Sequence, residues 1–501
     1  MSSAIARREV SGGRRRAKTP RHSLAPFARR PGQPRQGARP TRDASTNAVV
    51  GESALVVGAG PAGLATAISL AKQGWGEIKV VEKLPPPPSA GDPIYTEAPD
   101  RSYNLGVSGR GQKFLDAIGV LDDVREFSCL NFGRMVWDSE GKETITLRPE
   151  IAEEKYQAFC IQRDRLTAVL LENARRYDAI EIEHNVDVDS ISWDEDGPHV
   201  VLGSTEVRPS LLVGADGYRS VVTRALEDCK ASDLEMITWE DKNTRVYKTL
   251  PLDYDIGPDP GKWKRDLNLS ANAQSGADIT IEVLPTAEGK GVGVALYKPG
   301  NAAIEEASTG EKAKEMIAKN FPQFASVIPP KAFDDFAAQR DQRLPVFQYA
   351  KNALHGPRTA CVGDAIHTVK PYFGLGVNAA FEDVGVLQTC LETHNDVGKA
   401  LQQYTDSHKR NVETLVKMSR TFDGGFLSFI LPIILDTLFH KILPSVFSTN
   451  CIRMLQKHEL PFAQAGAIKR KDRALQVSIL ALVVLPALAV LIRGLKWLMT
   501  G

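Results

Sequence analysis

Apolar residues are distributed along the chain in two different patterns. Mostly apolar runs occur at 54–57, 78–81 and 211–213, and each is followed by a glycine or a carboxylate, as buried strands of a parallel sheet often are. Between residues 233 and 354, apolar residues alternate with polar ones or form broken runs, which favours a half-buried antiparallel sheet. These segments are Ile237–Trp239, Val246–Leu250, Asp278–Leu284 and Gly291–Tyr297. The pattern predicts an α/β fold in which a doubly wound sheet is interleaved with an antiparallel β layer.

The C-terminal part is predicted to be helical and to end in an apolar segment. A helical region is expected at 396–472, within which Gly425–Phe447 is typical of an amphipathic helix pair that covers a pocket or lies on a membrane surface. Val477–Ile492 carries no charged residue and is flanked by basic ones, and a spanning helix needs about 17–25 residues. The segment 474–497 is therefore predicted to be a membrane anchor, with a buried terminal helix as the alternative.

The first 48 residues differ in composition from the rest of the chain. They are rich in Arg, Pro, Gly and Ser and show no apolar periodicity. This is typical of an organellar transit peptide, although a basic disordered tail that binds anionic surfaces fits the same composition. The abundance of Arg, Ala and Pro with little acidity favours a chloroplast slightly over a mitochondrion. Together with the anchor, this segment predicts a location on an organelle membrane.

Charge and cysteine content narrow the functional classes. The formal net charge is +1, and basic residues concentrate in the N-terminal segment, so the folded body is acidic and no nucleic-acid partner is expected. The six cysteines show no CxxC spacing, and no zinc or iron–sulfur site is predicted. They are expected to be buried small side chains in a reducing compartment.

A glycine-rich turn follows the first predicted strand. Gly58, Gly60 and Gly63 form a GxGxxG pattern between that strand and the start of a helix. In such a turn the first glycine allows the tight bend, the second lets backbone approach a pyrophosphate, and the third allows close helix–strand packing. Glu82 ends the next strand, at about the 20-residue spacing where a carboxylate binds the ribose of an adenosine. The pattern predicts a dinucleotide-binding unit.

A second glycine-rich segment lies at 363–383. Gly363 and Asp364 follow an apolar strand, where a carboxylate can accept hydrogen bonds from ribose hydroxyls. Gly374 and Gly376 form a loop without side chains, which a flat ring can approach. A helix that begins near Asn378 would direct its free N–H groups toward a negative group. These features predict a cradle for an electron-rich ring and its diphosphate tail.

Together these motifs resemble those of FAD-dependent aromatic-ring monooxygenases. Asp216 is similar to the aspartate of the Asp-Gly motif in these enzymes, which serves FAD and nicotinamide binding, although a plain strand-to-turn Asp-Gly is an equal alternative. Arg101–Gly111, Phe132–Trp137 and Cys160–Arg163 are similar to segments of kynurenine 3-monooxygenases. The resemblance extends over roughly residues 50–495 and is dense only at the motifs.

The sequence predicts a domain organisation, and the resemblance implies a set of cofactor contacts. The separated positions of the nucleotide-binding strands predict a discontinuous FAD-binding domain at 50–232 and 355–395, and the sheet-like segments between them predict a β-rich substrate domain at 233–354. The residues that the resemblance places at FAD are Gly58, Gly60, Ala62, Gly63, Glu82, Lys83, Gly106, Arg163, Val186, Asp216, Asp364, Gly374, Gly376, Val377 and Asn378. For Arg163 the alternative is a helix N-terminal arginine paired with Asp164.

The same resemblance implies a reaction. Arg134 would pair with a carboxylate of a small aromatic substrate, because a guanidinium suits a bidentate oxyanion; a surface arginine after a strand is the alternative. Pro371, Tyr372 and Phe373 would shield the flavin ring, and no side chain is assigned as a catalytic acid or base. NADPH or NADH would bind transiently as reductant, with O₂ as co-substrate.

The chain departs from the family at a residue that binds the substrate. Arg148 stands where the family has a second contact, a tyrosine, so the substrate is expected to be kynurenine-like or else larger and more apolar. One alternative is a membrane-bound epoxidase or hydroxylase of isoprenoids. Another is a flavoenzyme similar to geranylgeranyl reductases, which oxygen consumption would distinguish. A non-catalytic membrane scaffold that retains FAD is the third.

Overall fold

Most of the chain after the N-terminal segment is described by the computed structural model. It covers residues 52–148, 154–241, 243–371, 374–424 and 426–500, without the side chains at 422, 426–427 and 483–500. The predicted N-terminal tail at 1–48 and the predicted ring-shielding residues Tyr372 and Phe373 lie outside the described residues.

Strands occur throughout the described residues between 53 and 368. In chain order they are β1 (Ser53–Val57), β2 (Glu77–Glu82), β3 (Asn104–Val107), β4 (Cys129–Leu130), β5 (Gly133–Trp137), β6 (Glu143–Leu147), β7 (Phe159–Gln162), β8 (Ile180–His184), β9 (Ser190–Trp193), β10 (Pro198–Leu202), β11 (Thr205–Val207), β12 (Leu211–Gly214), β13 (Glu235–Thr238), β14 (Val246–Leu252), β15 (Leu267–Asn272), β16 (Ile279–Pro285), β17 (Gly291–Tyr297), β18 (Gln342–Arg343), β19 (Gln348–Lys351), β20 (His355–Gly356), β21 (Thr359–Cys361) and β22 (His367–Thr368).

Helices are interspersed with these strands and dominate after residue 375. In chain order they are α1 (Pro61–Gln73), α2 (Ile94–Glu97), α3 (Gly109–Ala117), α4 (Leu121–Glu126), α5 (Arg163–Ala174), α6 (Val221–Asp228), α7 (Ala302–Glu306), α8 (Gly310–Asn320), α9 (Pro330–Ala338), α10 (Leu375–Thr393), α11 (Val397–Arg420), α12 (Leu431–Ile442), α13 (Cys451–Gln456) and α14 (Phe462–Thr500). The mixed α/β architecture that the sequence predicted is thereby confirmed.

A six-stranded sheet, called here the parallel sheet, brings the predicted cofactor motifs to one edge. Its order is β20-β21-β12-β1-β2-β8, in which β1 runs parallel to both β2 and β12, and β12 runs parallel to β21. Leu55, Val80 and Val213 are fully buried because helices cover the sheet. Since parallel strands end at the same edge, Gly58, Asp216 and the segment after β21 meet there.

A seven-stranded sheet, called here the large sheet, forms the second layer. Its order is β18-β14-β17-β16-β15-β5-β6, with antiparallel neighbours except for the parallel pair of β5 and β15. Met135, Leu269 and Ile281 lie on its helix-covered face, in a core shared with α8 and α9. Because β5 and β6 come from within 50–232, the predicted substrate range 233–354 does not by itself contain this sheet.

The small sheet β3-β7-β4 connects the two layers. The Asn104 side-chain amide on β3 donates to the carbonyl oxygens of Leu284 and Pro285 on β16, at 3.2 and 2.9 Å. The small sheet therefore contacts the large sheet at β16. The face of the large sheet opposite the one that α8 and α9 cover is called here the uncovered face.

The C-terminal region is a helical layer that includes an exposed apolar surface. The apolar block that was predicted to form a helix pair contains the single α-helix α12, which follows a π-helical turn at Phe426–Ile430. No helix among the described residues is both long and apolar enough to cross a bilayer. The predicted anchor at 474–497 is therefore not supported, and the side chains of 483–500 are outside the description.

Candidate active site

The turn between β1 and α1 is built so closely that only glycine fits at two positions. Gly58 has a φ of +103°, and a Cβ added there would lie 2.5 Å from the Ala215 carbonyl oxygen and 2.9 Å from Asp216 Cα. A Cβ at Gly63 would lie 1.9 Å from the Gly58 carbonyl oxygen. At Gly60, in contrast, a Cβ would meet no atom within 4 Å. The start of α1 thus has open space where a pyrophosphate would approach.

The Glu82 carboxylate is held beside this turn. It accepts hydrogen bonds from the backbone N–H groups of Ala59 and Leu84, both at 2.9 Å. The backbone N–H of Val186 donates to the Glu82 carbonyl oxygen at 3.0 Å, which places the predicted contact Val186 next to the same strand end. Because each carboxylate oxygen can accept a second hydrogen bond, Glu82 retains the capacity to bind ribose hydroxyls.

The segment after β21 lies against the start of α1. Gly363 has a φ of +64°, and a Cβ there would lie 3.4 Å from the Ala62 Cβ and 3.2 Å from the Ala380 Cβ. The Asp364 side chain that follows is exposed to solvent. Although solvent reaches it, the surrounding protein partly desolvates the Asp364 carboxyl group and raises its pKa, while the charges of His367 and Arg163 oppose the rise. The two predicted motifs therefore converge, with a carboxylate open to the space between them.

Asn378 fixes the backbone around Gly374, called here the ring-side loop, against the segment at Gly106–Gly111, rather than presenting its side chain to a ligand. Its amide nitrogen donates to the carbonyl oxygens of Gly106 and Gly374, at 2.9 and 2.5 Å. Its amide oxygen accepts from the backbone N–H groups of Ser108 and Gly111, at 2.9 and 3.2 Å. These four bonds use the full capacity of the side chain. The side chain of this predicted FAD contact therefore positions backbone.

A buried ionic cluster lies under the same loop. The Asp383 carboxylate bonds to His367 Nε2 at 2.7 Å, to His408 Nε2 at 2.6 Å and to the Gly363 N–H at 2.8 Å. Although burial opposes the shift, His367 and His408 hold the pKa of Asp383 well below its usual range. Burial likewise opposes protonation of His367, but the Asp383 charge raises the pKa of that histidine. The sequence singled out neither Asp383 nor His408 for this role, because His408 comes from the distant helix α11.

Asp216 adjoins the turn after β1. Its Oδ2 accepts from the Val221 N–H at 2.6 Å, whereas its buried Oδ1 has no hydrogen-bond partner among the described residues. Burial raises the pKa of this carboxyl group. Such an unsatisfied acceptor at the edge shared by the motifs fits a hydrogen-bond donor of a bound cofactor.

Arg163 begins α5 on the side of the large sheet. Its guanidinium lies 3.5 Å from Asp164, as the alternative interpretation of this residue expected, and the side chain remains partly exposed. Burial raises the pKa of Tyr247 on β14 to about 12, with Tyr103 adding to the shift and Arg163 opposing it. The backbone N–H of Arg163 donates to the Tyr103 carbonyl oxygen at 3.1 Å, which joins the start of α5 to the segment before β3.

Arg134 lies on the uncovered face of the large sheet. Its Nη2 donates to both carboxylate oxygens of Glu282, each at 2.7 Å, and Ser270 donates to the same carboxylate at 2.7 Å. On the same face, Asn268 is 3.7 Å from the Cys160 sulfur of β7. This face is thus directed toward the strands that carry part of the cofactor site. Sequence reasoning found Arg134 but missed Glu282, which is 148 residues away and has no local signal.

Lys370, immediately before Pro371, bonds to two other segments of the chain. Its ammonium donates to Asp241 at 2.8 Å, to Asp423 at 2.6 Å and to the Asn243 carbonyl at 3.0 Å. The lysine side chain has 0% exposure. Pro371 itself is exposed. Lys370 therefore connects the chain just before Pro371 to the C-terminal helical layer.

The arrangement as a whole fits FAD. Backbone N–H groups at the start of α1 suit a pyrophosphate, Glu82 and Asp364 suit hydroxyl groups, and Gly60 and Gly106 leave open space, because a Cβ on either would meet no atom within 4 Å. The remaining predicted contacts adjoin these residues and are Lys83, which is exposed, Val377, which is half-buried, and Gly376 in the first turn of α10. Among the described residues, no group of three or more His, Cys, Asp or Glu could hold a metal ion.

Comparison with known proteins identifies relatives over most of the chain. A family model described as FAD binding domain matches residues 52–419. The chain is 27% identical over 441 residues to kynurenine 3-monooxygenase of Salinispora tropica, covering 85% of this chain and 92% of that protein. It is 25% identical over 404 residues to kynurenine 3-monooxygenase of Cryptococcus neoformans, covering 73% of this chain and 76% of that protein.

Two solved structures share the fold. 2-Methyl-3-hydroxypyridine-5-carboxylic acid oxygenase superposes with a TM-score of 0.58 at 21% identity, covering 79% of this chain and 99% of that one. A variant of Pseudomonas aeruginosa PqsL superposes with a TM-score of 0.56 at 19% identity, covering 83% of this chain and 99% of that one.

Proposed function

The chain belongs to the FAD-binding domain family and is a flavin-dependent monooxygenase, and we propose that it hydroxylates a small aromatic acid of the kynurenine type. Bound FAD would supply the redox chemistry, by accepting electrons from NADPH or NADH and passing them to O₂. The residues of the chain then have three tasks: to hold the cofactor, to orient the aromatic substrate and to keep water away from the reacting atoms.

Holding the cofactor is the task of the two glycine-rich segments. The N–H groups at the start of α1 would bind the pyrophosphate, and Gly60 would let the backbone approach it closely. Glu82 and Asp364 would accept hydrogen bonds from hydroxyl groups of the cofactor. Asn378 would keep the ring-side loop in place through its four backbone hydrogen bonds.

The position of Arg134 is the observation that carries the proposal for an acidic substrate. The residue lies on the face of the large sheet that is directed toward the cofactor strands, and 42% of its side chain is exposed. Its buried Nε has no hydrogen-bond partner among the described residues. A carboxylate is the ligand that best suits such a guanidinium, because it offers two acceptors in the plane of the donors.

A neutral isoprenoid substrate is the second candidate. Glu282 already compensates the charge of Arg134, which favours a substrate without a carboxylate. The two candidate substrates differ in their dependence on Arg134, because only the aromatic acid has a carboxylate for the guanidinium to bind.

Kinetics of Arg134 variants test the proposal. The enzyme is assayed for substrate-stimulated NADPH oxidation with a panel of kynurenine analogues and lipophilic aromatic compounds. Arg134→Ala is expected to lower kcat/KM for the aromatic acid by roughly 30- to 1000-fold, with the lower end favoured because the side chain is only half-buried. Arg134→Lys should restore little, since an ammonium lacks the planar fork.

A matched control and a contrary outcome complete this test. Arg245→Ala removes another arginine of the large sheet, one that pairs with Asp278 at 2.7 Å, and should leave kcat/KM nearly unchanged. Flavin content should stay unchanged in all variants. Normal kinetics of Arg134→Ala toward the best substrate would contradict the acidic-substrate proposal and favour the isoprenoid one.

We also propose that the C-terminal layer attaches the enzyme to a membrane surface. Ile434, Leu438 and Ile442 follow one face of α12 and are 49, 49 and 64% exposed, and Val477 on α14 is 56% exposed. The opposite side of α12 is bound to α14 through buried Asp436. An apolar face of this kind suits the interfacial region of a bilayer. Flotation with liposomes, with and without residues after 474, tests this attachment.

A further inference from the structure

We propose that Glu282 is a specificity-determining residue that binds the ammonium group of an α-amino acid substrate while Arg134 binds its carboxylate. The inference rests on the proposed function, since it assumes that the aromatic substrate reaches the uncovered face of the large sheet. It extends that function by requiring both charged groups of an amino acid rather than a carboxylate alone.

The two side chains form one unit on the strands at either side of β15. Arg134 on β5 and Glu282 on β16 reach across the intervening strand β15, where Ser270 donates to Glu282 and fixes the orientation of its carboxylate. Both remain accessible, with 42% of the Arg134 and 37% of the Glu282 side chain exposed. The site therefore presents a positive and a negative group side by side, with an order set by the strand register.

The spacing of these charges disfavours a simple carboxylic acid. A substrate carboxylate on the guanidinium would lie next to the Glu282 carboxylate, since both oxygens of Glu282 are 2.7 Å from Arg134 Nη2. Two adjacent negative groups repel each other, and one arginine compensates only one of them. An α-amino acid carries an ammonium one carbon away from its carboxylate. It can therefore place opposite charges next to both protein groups, so that four charges alternate in sign.

The guanidinium can serve both partners at once. Glu282 uses Nη2, and Nε is buried out of reach of a ligand. A substrate carboxylate that bonds at the remaining nitrogen, Nη1, would leave the bond between Arg134 and Glu282 in place. The pair thus need not separate for the substrate to bind, which avoids leaving the Glu282 charge without a partner.

A substrate pair that differs only in the ammonium group tests this inference. L-Kynurenine and its deaminated analogue, 4-(2-aminophenyl)-4-oxobutanoate, are compared by kcat/KM and by their perturbation of the bound flavin spectrum. The native enzyme is expected to prefer the amino acid by roughly 10- to 100-fold, the range for one charge-assisted contact. Glu282→Gln keeps the shape of the side chain but removes its charge, and should reduce this preference to within roughly threefold.

Controls separate the inference from a merely structural role. Asp278→Asn removes a carboxylate from another arginine pair at the start of the same strand and should leave the preference unchanged. If Glu282 only positioned Arg134, Glu282→Gln would weaken both compounds by the same factor, and the inference would be overturned. The same holds if the native enzyme prefers the deaminated compound.

Failure of the proposed function has a different signature. Hydroxylation of L-kynurenine with an unchanged preference in Glu282→Gln overturns the inference and leaves the proposed function intact. Spectral binding of the amino acid over its analogue, lost in Glu282→Gln but without hydroxylation of either, supports the inference and contradicts the proposed reaction. If neither compound perturbs the flavin spectrum, both are overturned.

Discussion

Replacement of Asn378 tests how much its four hydrogen bonds contribute to the stability of the ring-side loop. Asn378→Ala would leave the carbonyl oxygens of Gly106 and Gly374 and the N–H groups of Ser108 and Gly111 without their partner. At about 1 kcal/mol for each neutral hydrogen bond, and with some rescue by water, the loss is about 2–4 kcal/mol. This is a large fraction of a typical unfolding free energy of about 5–15 kcal/mol.

The decisive assay compares the protein with and without FAD. If the side chain positions backbone, Asn378→Ala lowers the free energy of unfolding in urea already in the apoprotein. The FAD complex loses more than the apoprotein, because the displaced backbone also binds FAD less tightly. Asn378→Asp should not rescue the loss, because it keeps the two acceptor contacts but places a buried carboxylate against two carbonyl oxygens.

A buried asparagine elsewhere provides the control. Asn320 lies in the helix-covered core of the large sheet and donates to the Met316 carbonyl at 2.9 Å. Asn320→Ala should destabilise the protein without changing its affinity for FAD. An unchanged apoprotein stability in Asn378→Ala, with weakened FAD binding alone, would refute the positioning role and indicate a direct contact with the cofactor.

Three further predictions concern the cofactor, acid stability and the membrane surface. Gly60→Val should abolish FAD binding, because its side chain would occupy the space open to the pyrophosphate, and the flavin content of the purified protein measures this. Because the pKa of Asp383 is lowered, its contribution to stability is present above about pH 4 and is lost as pH falls toward the lowered value. Urea unfolding at several pH values should show this loss, and Asp383→Asn should flatten the profile. Replacing both Ile434 and Leu438 with Glu should reduce flotation with liposomes several-fold without lowering flavin content, whereas unchanged flotation would exclude α12 from the attachment.

The cofactor cradle could be predicted from the sequence because its requirements are local. Gly58 has a positive φ, and a Cβ at Gly63 would clash with the Gly58 carbonyl oxygen. Both glycines belong to the short turn that joins β1 to α1, so their spacing from β1 is fixed. Glu82 ends β2 and Asp364 lies shortly after β21. Because the carboxyl ends of parallel strands lie at the same edge of a sheet, these two residues come together. Such local patterns therefore predict both which residues line the cofactor cradle and why those residue types occur there.

The remaining features of the site depend on contacts between distant segments. Glu282 meets Arg134, and Lys370 meets Asp241 and Asp423, only because the sheets and the C-terminal layer pack as they do. A lone acid or lysine in a strand or loop has no pattern that predicts its partner. The placement of β5 and β6 in the large sheet was missed for the same reason, since strand pairing over long separations has no local signal.

The packing of the C-terminal apolar residues could not be predicted from their hydrophobicity alone. Residues 477–492 have the composition of a short span, yet they continue a single helix, α14, that begins at Phe462 with many polar residues. The apolar side chains of α12 were predicted as part of a helix pair, but the structure forms one α-helix whose outer face is exposed. Composition indicated that this region is apolar, and only the packing showed which face is left uncovered.

Incorporation of oxygen from isotopically labelled O₂ tests the central claim most directly. The purified, FAD-loaded enzyme is incubated with NADPH, labelled O₂ and L-kynurenine, and the product is analysed by mass spectrometry. A ring-hydroxylated product that carries one labelled oxygen atom is expected, with NADPH and O₂ consumed in equal amounts. Oxygen derived from water, or NADPH oxidation that yields only hydrogen peroxide with every aromatic acid tested, would contradict the claim.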